Sequence, residues 1–463
     1  MFYCRNEELR KLNKRYDDGA FECIVIYGRR RVGKTSIINE FCKDKPTIFF
    51  SALLEGTAKD NLKTLSGAIY DYKESGAAKA PEYDSFDSAL DEITGLAKKD
   101  RIVFVIDEYP YLAKAYPSIS SRLQHLIDHK WNNTKLFLIL CGSSMSFMEN
   151  QVLGYQSPLY GRRTGQFKIE PLDYKETAVF NPELDNATNA FVYGVTGGIP
   201  HYINKLNIRG NFDDALKENF FDRSAYLFEE PANLLKQELR EPAVYNSVIT
   251  AIAEGASRMN EICTKTGIES GPCAKYLSVL IGLGIIEKEK PMTEKAGKKT
   301  IYGIKDPFFG FWYRFVPNNM ISIASGKIDK IYDRAIRANL NDYMGLIFEK
   351  MCRDYLLKYA DEEGFNLVNI GQWWGTDPKE KKQVQIDLVG STENKNEYLI
   401  GSCKFINEAI GIDELNLLKK YAAAFGKGTI YHYFIFSKGG FTESLKELSI
   451  KGEVKLVSLD EMY

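Results

Sequence analysis

Two short stretches hold the residues best suited to chemistry. GRRRVGKTSI, Gly28 to Ile37, follows the apolar run CIVIYG and leads into the helix-like SIINEFC. Gly28, Gly33, Lys34 and Thr35 satisfy the GxxxxGK[ST] pattern in the required context, with a strand before it and a helix after it. The glycines let successive main-chain N–H groups of Arg29, Arg30, Arg31, Val32, Gly33, Lys34, Thr35 and Ser36 curl around phosphates at a positive helix N-terminus. Lys34 brings a point charge to the β and γ groups, and the Thr35 hydroxyl suits Mg2+. The second stretch is IVFVIDEYPYL, Ile102 to Leu112, an apolar strand that ends in Asp107 and Glu108. Ligands of open α/β sheets bind at the C-terminal edge of the strands. Asp107 there suits the magnesium, and Glu108 suits the orientation or polarisation of an attacking water.

These residues need a sheet to position them, and the sequence supplies one. From residue 22 to 170 short apolar runs (CIVIYG, TIFFSAL, IVFVID, KLFLILCG, QFKIEPL) alternate with longer amphipathic ones, which predicts an α/β domain with a largely parallel sheet. Residues 173–242 lose the strand runs and read as a small helical appendage, with YGVTGGIPHY as an internal break. Residues 243–304 read as three helices and two short strands around a basic loop, the winged helix-turn-helix arrangement. The aromatic run DPFFGFWYRFV, Asp306 to Val316, reads as a packed hinge. After residue 340 a helix, FNLVNIG, VQIDLVG, EYLIGSCKF, a helix from Asp413 to Phe425 and IYHYFIFS predict a second α/β core.

Composition bounds the partners. The 463 residues exceed one ordinary hydrophobic core, so two to four domains are expected. The 61 basic and 62 acidic side chains nearly cancel, so a nucleic-acid surface must be local. Eight cysteines without a CxxC pair predict reduced, buried thiols. A charged opening segment and the lack of a long apolar run predict a cytoplasmic protein with no membrane partner.

GRRRVGKT, VFVIDE, LILCGSS, LYGRR and GGIPHY, in this order, resemble the archaeal-type ATPase family, related to the AAA+ and STAND branches of P-loop NTPases, over about the first half of the chain. The resemblance implies ATP and Mg2+ as ligands. It implies that Ser143, with Ser144 as the alternative, contacts the γ-phosphate or the catalytic water. Arg162 or Arg163 would sense phosphate charge within the chain or across a homo-oligomer interface, where a planar, always-charged fork is suited. Pro200 falls at a turn near the base. The opening FYCRNEEL has Cys4 where the family commonly has glycine.

QIDLVG followed by IGSCKF resembles the restriction-endonuclease-like fold, whose nuclease members hold Mg2+ with carboxylates and orient water with lysine. Glu349, Asp387 and Lys404 match that pattern on helix, strand and strand. Ser402 stands where the pattern has a carboxylate, and a neutral hydroxyl is a poorer ligand for a hard dication, so a structural or DNA-holding remnant is expected.

The recognition helix GPCAKYLSVLIGLG offers only Lys275, Tyr276 and Ser278 to bases, and the tip KEKPMTEKAGKK suits phosphate contact. His125 and His129 share a helix face but lack a third ligand, and read as a surface pair. Trp373 and Trp374 read as packing residues that could alternatively stack bases.

The expected architecture is therefore α/β: a P-loop NTPase core at 1–172, a helical lid at 173–242, a winged helix at 243–316 and a restriction-endonuclease-like domain at 317–463. The expected function is an ATP-hydrolysing switch whose nucleotide state repositions modules that meet DNA or protein. The alternatives are an ATP-regulated, metal-dependent DNA nuclease and a nucleotide-gated scaffold without turnover.

Overall fold

The computed structural model describes residues 3–73, 82–208, 210–292, 299–359, 366–378 and 380–463. The chain forms two compact units, Met1–Leu172 with residues 199–201, and Asp173–Gly198 with Tyr202–Tyr463. Among the described residues no helix is long and apolar enough to cross a membrane.

The first unit is built on five parallel strands: β1 (Glu22–Tyr27), β2 (Thr47–Ser51), β3 (Ile102–Asp107), β4 (Leu136–Gly142) and β5 (Gly165–Lys168), in the order β2-β3-β4-β1-β5. Each of the five apolar runs read from the sequence becomes a strand. Every residue of β1, β3 and β4 is buried, which is why these strands read as continuous apolar runs rather than alternating ones. Because β4 lies between β1 and β3, their C-terminal ends bring Gly28, Asp107, Glu108 and Ser143 to one edge of the sheet.

In the second unit the aromatic run 306–316 forms the helix Pro307–Phe315, whose Phe308, Phe309, Phe311, Tyr313 and Phe315 are all buried. Phe311 meets Phe220 edge-on at 4.7 Å and Tyr343 at 5.7 Å, so the segment is core rather than joint. The helices Pro242–Ala253, Met259–Thr266 and Ser270–Gly282 precede an antiparallel hairpin of β6 (Ile286–Glu289) and β7 (Ile301–Ile304). Residues 293–298 of the basic loop tip lie outside the described residues.

The last sheet is mixed. It comprises β8 (Leu367–Thr376), β9 (Gln383–Thr392), β10 (Glu397–Lys404), β11 (Ile430–Ser437) and β12 (Lys455–Ser458), in the order β12-β11-β10-β9-β8. The β8-β9 and β9-β10 pairs are antiparallel, and the β10-β11 and β11-β12 pairs are parallel. Between the pairs Gly371↔Val389 and Trp373↔Ile386 the register slips by one, so Asp387 and Leu388 together oppose Gln372. Such a bulge re-aims a side chain without breaking the sheet.

Candidate functional site

The loop after β1 takes its shape from close approach and backbone sign. A Cβ on Gly28 would lie 2.3 Å from the Ile169 carbonyl oxygen, so only glycine passes between the end of β1 and the segment after β5. Arg31 and Gly33 then adopt positive φ, 71° and 94°, and turn the chain into the helix Lys34–Cys42. That helix has no side-chain cap and no acidic residue in its first turn. Its leading N–H groups and positive dipole end are therefore not neutralised locally, as an anion site requires.

Lys34 is 7 % exposed, and its ammonium donates to the Gly28 and Arg29 carbonyls, both at 2.9 Å. Among the described residues it forms no ion pair. Burial holds its pKa below the ordinary lysine value against the opposing pull of Cys141, Glu108 and Asp107. A buried cation satisfied by carbonyls rather than by a carboxylate fits an anionic ligand. Thr35, exposed beside it, donates to Asp107 Oδ2 at 3.3 Å, so the two oxygen ligands expected for Mg2+ are already adjacent.

Glu108 follows with φ 50° and ψ 44°, a left-handed conformation that non-glycine residues adopt at a cost and that is concentrated at functional sites. Its N–H donates to Asp107 Oδ1 at 3.0 Å. Ser143, one residue past β4 and buried, directs its hydroxyl at the Glu108 carboxylate, 3.1 Å from Oε1 and 3.0 Å from Oε2. Ser144 is half-buried next to it. The resemblance implies a place for Ser143 at the phosphate or the water, and the structure brings its hydroxyl to the Glu108 carboxylate.

Two nearby residues escaped the sequence reading. Tyr111 accepts a hydrogen bond from Arg30 at 2.5 Å, tying the phosphate loop to the helix that follows β3. Cys141 is fully buried, and burial followed by Asp107 pushes its thiol pKa well up. The run DEYPYL contains Tyr111, but nothing local in it announces an arginine partner 81 residues away.

The remaining predicted residues are more dispersed. Arg162 forms a two-pronged ion pair with Asp128, at 3.1 and 3.0 Å, and Arg163 donates to the Leu153 carbonyl at 3.4 Å. Arg29 and Arg31 are half-buried, Val32 is fully buried and Ser36 is exposed. Pro200 opens the helix Pro200–Leu206 after Gly197 and Gly198, both at positive φ. Cys4 has φ 56°, the conformation for which glycine is favoured, while the neighbouring Phe2 lies outside the described residues. His125 and His129 are exposed with rings 4.6 Å apart. Among the described residues no three His, Cys, Asp or Glu side chains are gathered to hold a metal ion.

In the second unit a cavity of about 670 Å3 is lined by Glu287, Glu289, Glu349, Gln372, Trp374 and Asp387, among others. Gln372 donates its amide to Glu349. Burial, then Asp387, pushes the Glu349 pKa up to about 8, and burial also raises that of Asp387. Asp387 Oδ2 accepts the Cys403 N–H at 2.9 Å. Burial opposes the charge on Lys404, but Glu414 and Asp387 outweigh it and raise its pKa. The hairpin closes one wall: Lys350 pairs with Glu287 at 2.5 Å, and the Met292 N–H donates to the Gln372 carbonyl at 2.8 Å. Trp373 is buried edge-on against Phe425, while Trp374 faces the cavity. Lys275 and Ser278 are exposed, and the half-buried Tyr276 donates to Glu241 at 3.3 Å.

Comparison with known proteins agrees with the fold of the first unit. Residues 2–206 match the model of an ATPase domain predominantly from Archaea, and residues 312–416 match a family described as Archaea bacterial proteins of unknown function. An uncharacterized protein of Methanocaldococcus jannaschii is 34% identical over 408 residues, 88% of either chain. An uncharacterized ATP-binding protein of the same organism is 44% identical over 45 residues, 10% of this chain and 76% of that one. The structure of a Walker-type ATPase of Pyrococcus abyssi superposes with a TM-score of 0.54 at 22% identity, covering 68% of this chain and 96% of that one, and shows the shared fold. With its five-stranded parallel P-loop sheet and its second, mixed-sheet domain, the chain belongs to the family of ATPases found predominantly in Archaea.

Proposed function

We propose that the first unit binds ATP with Mg2+ and hydrolyses it, and that the nucleotide state sets the behaviour of the modules that follow. The observation that carries this reading is the buried Lys34 ammonium held over the loop by two carbonyls, with Thr35 and Asp107 in contact beside it. The N–H groups of residues 29–36 would cradle the phosphates, with Lys34 on the β and γ groups. Thr35 and Asp107 would hold the magnesium, which when bound neutralises charge on the phosphate oxygens. Glu108 is the group suited to take a proton from water, and Ser143 orients its carboxylate. Arg162, Arg163 and Pro200 remain candidates for phosphate sensing and base contact, the arginines after release from their present partners.

The second unit extends this reading. Residues 173–242 act as the lid, 243–316 as a winged helix and 317–463 as a restriction-endonuclease-like domain. The three helices and hairpin, and the mixed sheet with a bulge at Asp387, support those assignments. DNA is the expected partner of both modules, although Lys275, Tyr276 and Ser278 are the few side chains of Ser270–Gly282 suited to reading bases. The test is phosphate release with and without DNA, run beside sizing with and without ATP. Hydrolysis lost in Lys34→Ala and in Glu108→Gln is expected, and parent-rate turnover in both would overturn the assignment. Tight ATP retention without phosphate release would instead favour a nucleotide-gated scaffold.

A second reading has its own observation. Asp387, Glu349 and Lys404 converge at the bulged part of β9, which supports a metal-dependent nuclease regulated by ATP. Magnesium-dependent DNA cutting that vanishes in Asp387→Ala and Lys404→Ala is its test.

A further inference from the structure

Strand β6 has two chemically different faces. Successive side chains of a strand point to opposite sides. Along β6 and the lysine that follows it, Glu287 and Glu289 are half-buried while Lys288 and Lys290 are exposed. The acidic face is turned to the helix Leu340–Lys358: Glu287 lies 2.5 Å from the Lys350 ammonium, and Glu289 lies 3.9 Å from the Arg353 guanidinium. Lys350 also donates to the Ile304 and Lys305 carbonyls at the end of β7, both at 3.3 Å. On the basic face Lys288 lines a second cleft with Arg258, Asn260 and Thr264.

The hairpin is anchored beyond β6 as well. Met292 is buried in the core of the last sheet with Trp373, Val384 and Ile386, and its N–H holds the Gln372 carbonyl of the edge strand β8. Lys350 and Arg353 line the cavity that this hairpin walls, and residues three apart share one face of a helix, so both cations are presented together beside Glu349. Two carboxylates of the hairpin occupy them. Like charges are crowded there: burial, then Glu287, raises the Glu289 pKa against the pull of Lys350 and Arg353. Ion pairs that keep contact with water are individually weak and exchangeable.

We propose that Lys350 and Arg353 form a binding site for the phosphodiester backbone of a DNA strand, and that Glu287 and Glu289 of the hairpin are its built-in competitor. A carboxylate and a phosphodiester offer these cations similar anionic oxygens, and lysine and arginine pair with either. With the hairpin docked, the two cations are neutralised, and the cavity of about 670 Å3 falls in the range of small-molecule pockets, roughly 300–1,000 Å3. With the hairpin released, the acidic face leaves and the mouth of the cavity carries two cations in its place. The proposal rests on the reading of DNA as the partner of the second unit, and not on whether that unit cuts it.

The test follows binding of a fluorescein-labelled single DNA strand to nucleotide-free full-length chain by anisotropy, in EDTA so that metal-dependent cutting does not enter. A competitor within the chain lowers affinity by the fraction of hairpins that are open, so with about a tenth open its removal tightens binding about ten-fold. That gain is expected in Glu287→Gln/Glu289→Gln, with a slope of log K against log salt steeper by about 1.4, the share of two added phosphate contacts on a single strand. It is expected to vanish when Lys350→Gln/Arg353→Gln is added. Met292→Ala, which loosens the hairpin without changing charge, is expected to move affinity in the same direction. Thermal melting of each variant reports that the fold is intact. Unchanged affinity in both hairpin variants, or a gain that survives Lys350→Gln/Arg353→Gln, overturns the proposal, while DNA binding by the parent keeps the partner reading. No DNA bound by any variant removes both.

Discussion

The hydroxyl of Ser143 bridges both oxygens of the Glu108 carboxylate, at 3.1 and 3.0 Å, across two strands of the parallel sheet and 35 residues of chain. This contact holds both oxygens of the carboxylate at the C-terminal edge of the sheet. Glu108→Gln is expected to retain ATP while turnover falls by about 10^2- to 10^4-fold, the usual share of a general base. Ser143→Ala, which leaves the carboxylate unheld, is expected to lower kcat with little change in KM. Single-turnover phosphate release set against filter retention of labelled ATP separates the two effects.

Lys34→Ala is expected to weaken nucleotide binding by roughly 10- to 100-fold, corresponding to the loss of charge-assisted contacts of about 1.5–3 kcal/mol. Fluorescent-nucleotide titration measures it, and unchanged affinity would remove Lys34 from the site.

Gly28→Ala drives a Cβ to within 2.3 Å of the Ile169 carbonyl oxygen, a main-chain atom that cannot rotate away. Destabilisation of about 1–3 kcal/mol is expected even without nucleotide, as for other overpacked sites. Thermal melting of the nucleotide-free chain checks it. A defect confined to ATP binding would mean that the glycine serves phosphate alone.

The hairpin and the helix Leu340–Lys358 are joined by the half-buried pair Lys350–Glu287. Glu287→Lys is expected to cost about 2 kcal/mol, because two cations then face each other, and Glu287→Lys/Lys350→Glu to recover most of it. Denaturant melts of the single and double variants give the coupling. If the double variant is no better than the single, the pair does not hold the hairpin.

Asp173 caps the helix Tyr174–Ala178 and accepts from Lys358 at 3.0 Å and from Tyr359 at 2.6 Å. Burial raises its pKa, but the Glu176 N–H, Tyr359 and Lys358 outweigh that and hold it below the ordinary aspartate value. With the folded pKa depressed, its stabilisation is complete above the unfolded value of about 3.9 and is lost as pH falls through the folded one. The melting temperature is therefore expected to drop on acidification below about pH 4, and less steeply in Asp173→Asn.

Much of the first unit was legible because its signals are local. A fully buried parallel strand needs apolar residues on both faces, so VFVI and LFLILC stand out as uninterrupted runs. The loop pattern from Gly28 to Thr35 packs a turn, a charge and a helix start into a few residues. The end of the chain was less legible. The edge strand β12 is only Lys455–Ser458, and the helix Glu443–Ile450 buries little beyond Leu445, so neither announced itself. The aromatic run at 306–316 was rightly read as packed, but its regular helix of buried rings required neighbours that the run itself does not contain.

The sequence by itself determined the sheet that carries the phosphate loop, the loop, and the acidic pair at the end of β3, because apolar periodicity, glycine and turn chemistry act over neighbouring residues. Tertiary structure alone decided which side chains meet: Ser143 with Glu108, Arg162 with Asp128, and Glu414 with Ser402 and Lys404. A hydrogen bond or ion pair is won or lost over a few tenths of an ångström. Residues 35, 34 and 12 positions apart come within that range only after the strands and helices between them have packed.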